Sequence, residues 1–547
     1  MDCRFWSKYT LWLVLKLNLS IVHLSNDVNK HFMKKYSLIL FFICQLGFSQ
    51  NQNISGGFVF DGEPYLAIHP ANSQHITVAW IGYSLGQPVG IKTKVSTNGG
   101  ATWSAAQFLP HGGPTLHSAD PSLDYDNAGN LWACYIDYVE SPDSGGIYVV
   151  KSTDGGFTWM NFTKALDMYA DGLEKPVDRP WMAINPVNNH MYITSKPPPW
   201  VLAPNRNYLT KSYDGGINWE PWRYCDTTGY LIGNLIAQPM AALDAGPDGR
   251  LHIMYPTYET SQNILPGYIH ASSTNSGNSF SYHPAIYAIP GAQDTLIKAG
   301  YNLKVDPSDP DHLAFAYTFR PNGGDADVQI IESTNGGITW TSAIRVNDDP
   351  IGNGKMQDLV WCDFDTDGDL IVGWRDRRNA SGTGYSVSSD IWGAVKWKDS
   401  INFSANFRIA DSLANYQAVL SENGNDFMNI AMRNDTMYAV WGDVRTGVLQ
   451  IWFAKRDLIT GVTSVEQITS EQIPTFNIYP NPVKDFLYYN GMEVLQIDIY
   501  DMSGKIKLQT KPLQNNQPID ISQLPTGSYI ATFTTINSKV SKKIIKQ

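Results

Sequence analysis

The chain writes one hydropathy unit seven times: an apolar run, a polar turn, then a β-rich run that usually ends on an aromatic. The copies fall at 64–80, 121–135, 180–195, 239–255, 301–317, 359–374 and 427–441. Asn, Asp, Gly and Pro break each copy near its middle, as in Pro64–Trp80 and Leu359–Trp374. Runs of this length, alternating or continuously apolar and split by turn residues, predict paired strands joined by a hairpin. Seven such pairs predict the inner strands of seven blades, with six as the alternative count. The fold expected is all-β: a β-propeller, closed by a strand near Phe58-Val-Phe60 that lies beside the last blade and leaves no open sheet edge.

A second repeat runs in phase with the first. It reads Ser96-Thr-Asn-Gly-Gly-Ala-Thr-Trp103, and returns at 152–159, 212–219, 273–280 and 333–340. A self-similar phrase at a fixed period signals a propeller or an array. Asp or Asn bonds nearby backbone amides and Gly supplies positive φ, so the phrase predicts a tight turn. The closing Trp or Phe is expected to pack where one blade meets the next. These residues read as folding staples that join the two outer strands of a blade, since short side-chain-to-backbone bonds are what such residues supply at turns.

The phrase resembles the Asp-box of the sialidase-like β-propellers, and the resemblance covers 50–460. It implies a ligand site on the face away from the boxes, around the central funnel. The loops leading into the first strands carry Glu63, Asp120, Asp178, Arg179, Gln238 and Asp358 there. The loops leaving the second strands carry Asp137, Tyr138, Lys196, Tyr258, Glu259, Arg320, Arg375, Arg377, Arg378, Asp443 and Arg445. Arginine forks fit carboxylate or sulfate groups, so Arg179, Arg320, Arg375, Arg377, Arg378 and Arg445 are the substrate-binding candidates. Tyr258, Glu259 and Asp178 are the catalytic candidates, because a Tyr beside a Glu can act as nucleophile and a carboxyl as general acid. The same charges could instead form a structural ring of ion pairs between blades. One departure is specific. The family's Phe-Arg-Ile-Pro motif should open the first inner strand, where this chain has Gly62-Glu63-Pro64-Tyr65. Phe407-Arg408-Ile409-Ala410 falls instead in an outer-strand position.

No metal is assigned. Asp363, Asp365, Asp367 and Asp369 alternate like the first half of a calcium loop, but Trp374 stands where the twelfth-position Glu belongs. The stretch reads first as the hairpin turn of the sixth pair, with calcium as the alternative. Phosphate-loop, Rossmann and zinc signatures are lacking, so no cofactor is expected.

The two ends read differently. Residues 33–49 have two lysines, an apolar core and Gly47-Phe48-Ser49, the layout of a secretory signal peptide; 1–32 then reads as upstream sequence. Residues 461–475 form a polar linker. From 476 the chain carries Tyr479-Pro-Asn-Pro482, Asp501-Met-Ser-Gly504, Leu524-Pro-Thr-Gly-Ser-Tyr529 and a basic tail. These four motifs in order resemble the type A C-terminal sorting domain of the type IX secretion system of Bacteroidetes. The resemblance implies a small β-sandwich, the type IX machinery as partner, and a secreted or cell-surface location reached through the periplasm and outer membrane.

Composition narrows the field further. The net charge of −11 gives no reason to expect nucleic acid as partner, and no later apolar run is long enough to span a bilayer in the mature form. Cys134, Cys225 and Cys362 form no disulfide framework. The expected function is a glycoside hydrolase or lyase acting on an acidic glycan, or else a non-catalytic surface propeller that binds glycan or protein.

Overall fold

The computed structural model describes residues 51–57, 59–83, 87–140, 143–170, 172, 177–198, 206–230, 240–257, 267–287, 300–321, 324–417, 425–459, 477–490, 494–501, 505–512, 517–534 and 539–547. Residues 1–50 and 460–476, which hold the expected leader and linker, lie outside them. The chain divides between Thr463 and Ser464 into two compact units.

Among the described residues the first unit holds seven four-stranded antiparallel sheets, so the seven-blade expectation stands. Blades one to six span 61–108, 117–167, 178–224, 242–287, 301–345 and 357–408. In each, consecutive strands pair in chain order, because short hairpins join neighbours. Blade seven takes Asn429–Arg433, Thr436–Asp443 and Gln450–Asp457 from the end of the unit and its fourth strand, Gln52–Asn53, from the beginning. Gln52 pairs Phe453 and Asn53 pairs Trp452. The closing strand therefore lies ahead of the expected 58–60, of which Phe58 is outside the described residues. Phe60 makes only an isolated parallel bridge to Leu449, since the chain there is already turning into blade one.

All five boxes fold alike. In blade two Ser152 Oγ donates to Asp154 Oδ1 at 2.7 Å and accepts from Gly156 N at 2.7 Å. Asp154 then accepts from Thr158 N at 2.9 Å and Thr158 Oγ1 at 2.6 Å. Gly156 sits at φ 104° with the Thr77 methyl 2.9 Å from where a Cβ would stand, so only glycine fits. The turn also exposes a carbonyl to the preceding blade. Gly155 O accepts from Thr77 Oγ1 at 2.7 Å, Gly216 O from Thr163 Oγ1 at 2.8 Å, and Gly337 O from His270 Nδ1 at 3.0 Å. Each of these boxes thus latches its own blade to the one before. The closing rings, such as Trp159 and Trp340, are half-buried beside the blade cores.

Two layers line the central channel. Near the funnel, Trp181 of blade three meets Trp361 of blade six with ring centroids 6.0 Å apart. Tyr65, Tyr301 and Phe427 pack edge-on around this pair at 5.6, 6.5 and 6.0 Å. Nearer the boxes, first-strand residues form a polar layer. Asp124, Asp244 and Asp363 each accept a backbone N–H from the next blade, from Ile184, Val305 and Met432. Lys304 stands at the equivalent place in blade five. Burial lifts the Asp124 carboxyl to about 7.

The second unit has a three-stranded sheet (Asn477–Tyr479, Phe486–Asn490, Ile519–Asp520) and a four-stranded one ordered Ile506–Thr510, Gln496–Asp501, Gly527–Thr534, Lys539–Lys546. Leu487, Ile497, Ile499, Ala531 and Phe533 are buried in one core, as expected of a small sandwich. No helix among the described residues is long and apolar enough to cross a membrane.

Candidate functional site

Four blades open with the same backbone kink. Glu63, Asp120, Arg179 and Leu359 all have φ of 50–55°, inside a break of strand register at 62/65, 119/122, 178/181 and 358/361. Left-handed backbone on residues other than glycine is uncommon, and such strain clusters at functional sites. The kinks aim three charged side chains, Glu63, Asp120 and Arg179, at the funnel end of the channel.

There they form one cluster. Asp120 hydrogen-bonds Glu63, and burial, with Glu63 beside it, holds the Asp120 carboxyl well above the usual carboxylate range. Asp120 Oδ2 also accepts the backbone N–H of Arg179 at 3.1 Å. The Arg179 guanidinium pairs with Asp426 and donates to Met240 Sδ at 3.0 Å. Asp178 is held by the ammonium of Lys196, its cross-strand partner, which is itself buried. Glu63 accepts the backbone N–H of Asp426 at 3.3 Å, which ties blade one to the loop before blade seven.

The sequence candidates divide at this point. Asp178 and Arg179 enter the cluster. Arg320 donates to Gly324 O at 3.1 Å, and among the described residues no carboxylate pairs with it. Arg375 and Arg377 do not face the funnel freely. They are 2 % and 0 % exposed and share Asp358, with Arg375 Nε donating to Oδ1 at 2.7 Å and Arg377 Nη1 at 3.2 Å. Against the cost of burial, the two guanidiniums hold the Asp358 carboxyl far below its usual range. Tyr385 closes the group with its hydroxyl on Asp358 and its ring 4.1 Å under Arg377. Arg378 and Arg445 are repeats of one device: each bonds the Asp two residues back (Asp376, Asp443) while lying 4.1 Å over a Trp (Trp392, Trp452). Tyr258, Glu259 and Gln238 lie outside the described residues.

Other candidates resolve into structure. Asp137 takes His111 Nδ1 at 2.8 Å and Ser118 Oγ at 2.9 Å, but Ser118 also sits on Nδ1, so the three form no nucleophilic relay. Asp365 accepts the backbone N–H of Asn434 and Asp435 at 3.1 and 2.8 Å, a latch onto blade seven. Among the described residues no group of His, Cys, Asp and Glu could hold a metal ion. Cys134, Cys225 and Cys362 are buried and unpaired. Glu63 and Asp120, placed at the funnel by the sequence but given no role there, join Arg179 in this cluster. Their signal was present: a charged residue precedes Pro64, Pro121 and Pro180 at the same place in three successive blades.

Residues 477–547 match the family described as the secretion system C-terminal sorting domain. The chain therefore carries a type IX sorting signal that directs it out of the cell or to its surface. No curated protein matches the chain. Similar solved structures include a protein of unknown function from Dyadobacter fermentans (13 % identity, 75 % of this chain, 99 % of that one, TM-score 0.38). Others are the α-L-arabinanase of Penicillium chrysogenum complexed with arabinobiose (12 %, 76 %, 99 %, 0.41) and the leech intramolecular trans-sialidase (12 %, 80 %, 73 %, 0.37). At this level of likeness neither activity nor substrate carries across.

Proposed function

We propose that the chain is an exported glycoside hydrolase whose acid and base are drawn from the Glu63, Asp120 and Asp178 cluster. The observation that carries this reading is the Asp120 carboxyl, which burial and Glu63 beside it hold well above the usual carboxylate range, in one cluster with Asp178 and its partner Lys196. A carboxyl raised above its usual range beside a second carboxyl group suits glycosidic bond cleavage: one protonates the leaving oxygen, one acts on the other side of the sugar. Asp120 takes the role of general acid and Asp178 that of base or nucleophile. Arg179 orients Asp120 through its backbone N–H, and Arg320 is the cation open to an acidic substituent of the glycan. Tyr258 and Glu259 stay candidates for the same chemistry.

The second reading, a non-catalytic surface propeller that binds glycan or protein, draws on a different observation. Arg375, Arg377, Arg378 and Arg445 are already spent on internal carboxylates, which suits blade bracing better than an anion clamp.

The test is to assay the purified chain on neutral and acidic polysaccharides for new reducing ends and for the ultraviolet-absorbing products of a lyase. Asp120→Asn should lower turnover by about 10²–10⁴-fold, the usual share of a general acid, without a change in melting temperature. Glycan binding without any product would establish the second reading. Unsaturated products would replace hydrolysis by elimination.

A further inference from the structure

The junction between blades two and three, on the face that carries the boxes, holds a groove of about 440 Å³, within the size range of small-ligand sites. The next junction explains why this one stays open. There Lys211, which precedes the box serine of blade three, reaches across to Ser276 O at 3.2 Å and Asn278 Oδ1 at 2.6 Å. His190 adds a contact to Ser276 Oγ at 2.9 Å. Lys151 holds the same place in blade two, but it does not reach the box of blade three. Its ammonium stays over the Trp132 ring at 5.0 Å and 4.0 Å from Asp126, and the two blades are joined deeper in, where Asn127 and Asn189 exchange bonds at 2.9 and 2.7 Å, so the groove lies outside that contact.

The groove's lining is suited to a small polyol. Asn161 lines it from the outermost strand of blade two at φ 53°, a conformation glycine adopts at less cost, and its amide bonds no other described side chain or backbone group. Asn188 spends its oxygen on His190 N at 3.0 Å, and no described group accepts from its amide nitrogen. On the opposite wall Ile217, 71 % exposed, supplies apolar surface, beside Tyr213, whose ring packs on His190 and whose hydroxyl lies on blade four. The two carboxylates at the rim are already used: Asp126 by Asn130 and Trp132, Asp214 by the turn of its own box. What is left is amide donors and acceptors opposite apolar surface, with no open anion.

We propose that this groove is a second binding site, remote from the funnel, for a neutral saccharide of one or two sugar units. Hydroxyls meet the amides of Asn161 and Asn188, and the C–H face of the ring rests on Ile217. The site is independent of any chemistry at the funnel, because its test reads binding and not product.

The experiment is saturation-transfer NMR and calorimetric titration of the full chain with cellobiose, maltose and xylobiose. At least one should bind in the millimolar range. Asn161→Gly should weaken it tenfold or more with no loss of melting temperature, since glycine relieves the left-handed backbone while removing the amide. Ala128→Trp, which fills the groove from its rim, should abolish binding. If none of the three sugars binds the parent chain, the proposal is overturned. Binding that survives both substitutions would place the sugar elsewhere and overturn it equally.

Discussion

His312 donates from Nε2 to Glu332 at 3.0 Å while its Nδ1 lies 2.9 Å from Asp306, so one imidazole ties three strands of blade five together. Burial opposes its charge, but the two carboxylates outweigh burial and lift its pKa to about 9. A pKa raised above the unfolded value means stabilisation that is complete below about pH 6.5 and fades as pH rises through 9. His312→Gln should cost on the order of 1–2 kcal/mol at pH 6, after allowance for the ring's partial exposure, and little at pH 9.5. Melting temperature against pH for the two proteins checks this; equal losses at both pH values would refute it.

Arg377→Ala should unfold the propeller more readily, not merely empty a ligand site. It removes a fully buried guanidinium that Asp358, Tyr385 and the Met356 carbonyl all use. Breaking a buried ion pair from one side costs about 3–5 kcal/mol, and the remaining Arg375 should bring the loss to the lower end. Urea titration reads the change. Arg378→Ala, at a more open position, should cost visibly less.

In the boxes, Asp154→Ala should cost about 1–2 kcal/mol by leaving the Thr158 amide without its acceptor. Asp154→Asn should cost almost nothing, because Asn98, Asn275 and Asn335 make the equivalent bonds in their own turns. Thermal melts of the pair separate a turn device from a charge requirement, and a large loss in the Asn variant would favour the latter.

Removal of residues 51–54 should open the ring. Those residues give blade seven its fourth strand, and Asn51 exchanges bonds with Asp411 beyond blade six, at 2.8 and 2.7 Å. The exposed edge of Gln450–Asp457 then becomes a template for other chains. Size-exclusion chromatography should show self-association; a monomer with the parent's melting temperature would contradict this.

The repeated strand pairs made seven blades legible, because alternation and turn chemistry are local. Ring closure was legible in principle and misplaced in detail: Gln52 and Asn53 carry no apolar signal and pair only because a neighbouring edge needs covering. The arginines misled for a physical reason. Residue type fixes charge, but only the fold decides that Asp358 lies within reach of both Arg375 and Arg377 and consumes them. Glu63 and Asp120 matter through a left-handed backbone that no hydropathy pattern encodes. The box carbonyls that join blades were likewise invisible, since a backbone oxygen leaves no mark in a sequence.

The Trp181 and Trp361 rings, brought together from blades three and six, set an aromatic layer between the funnel cluster and the polar layer beneath it. The groups that act on the Asp120 carboxyl are Glu63, Asp178 and Arg179, while those that act on Lys304 are Asp244, Tyr65, Asp363 and Asp124, so the two ends of the axis are distinct electrostatic neighbourhoods.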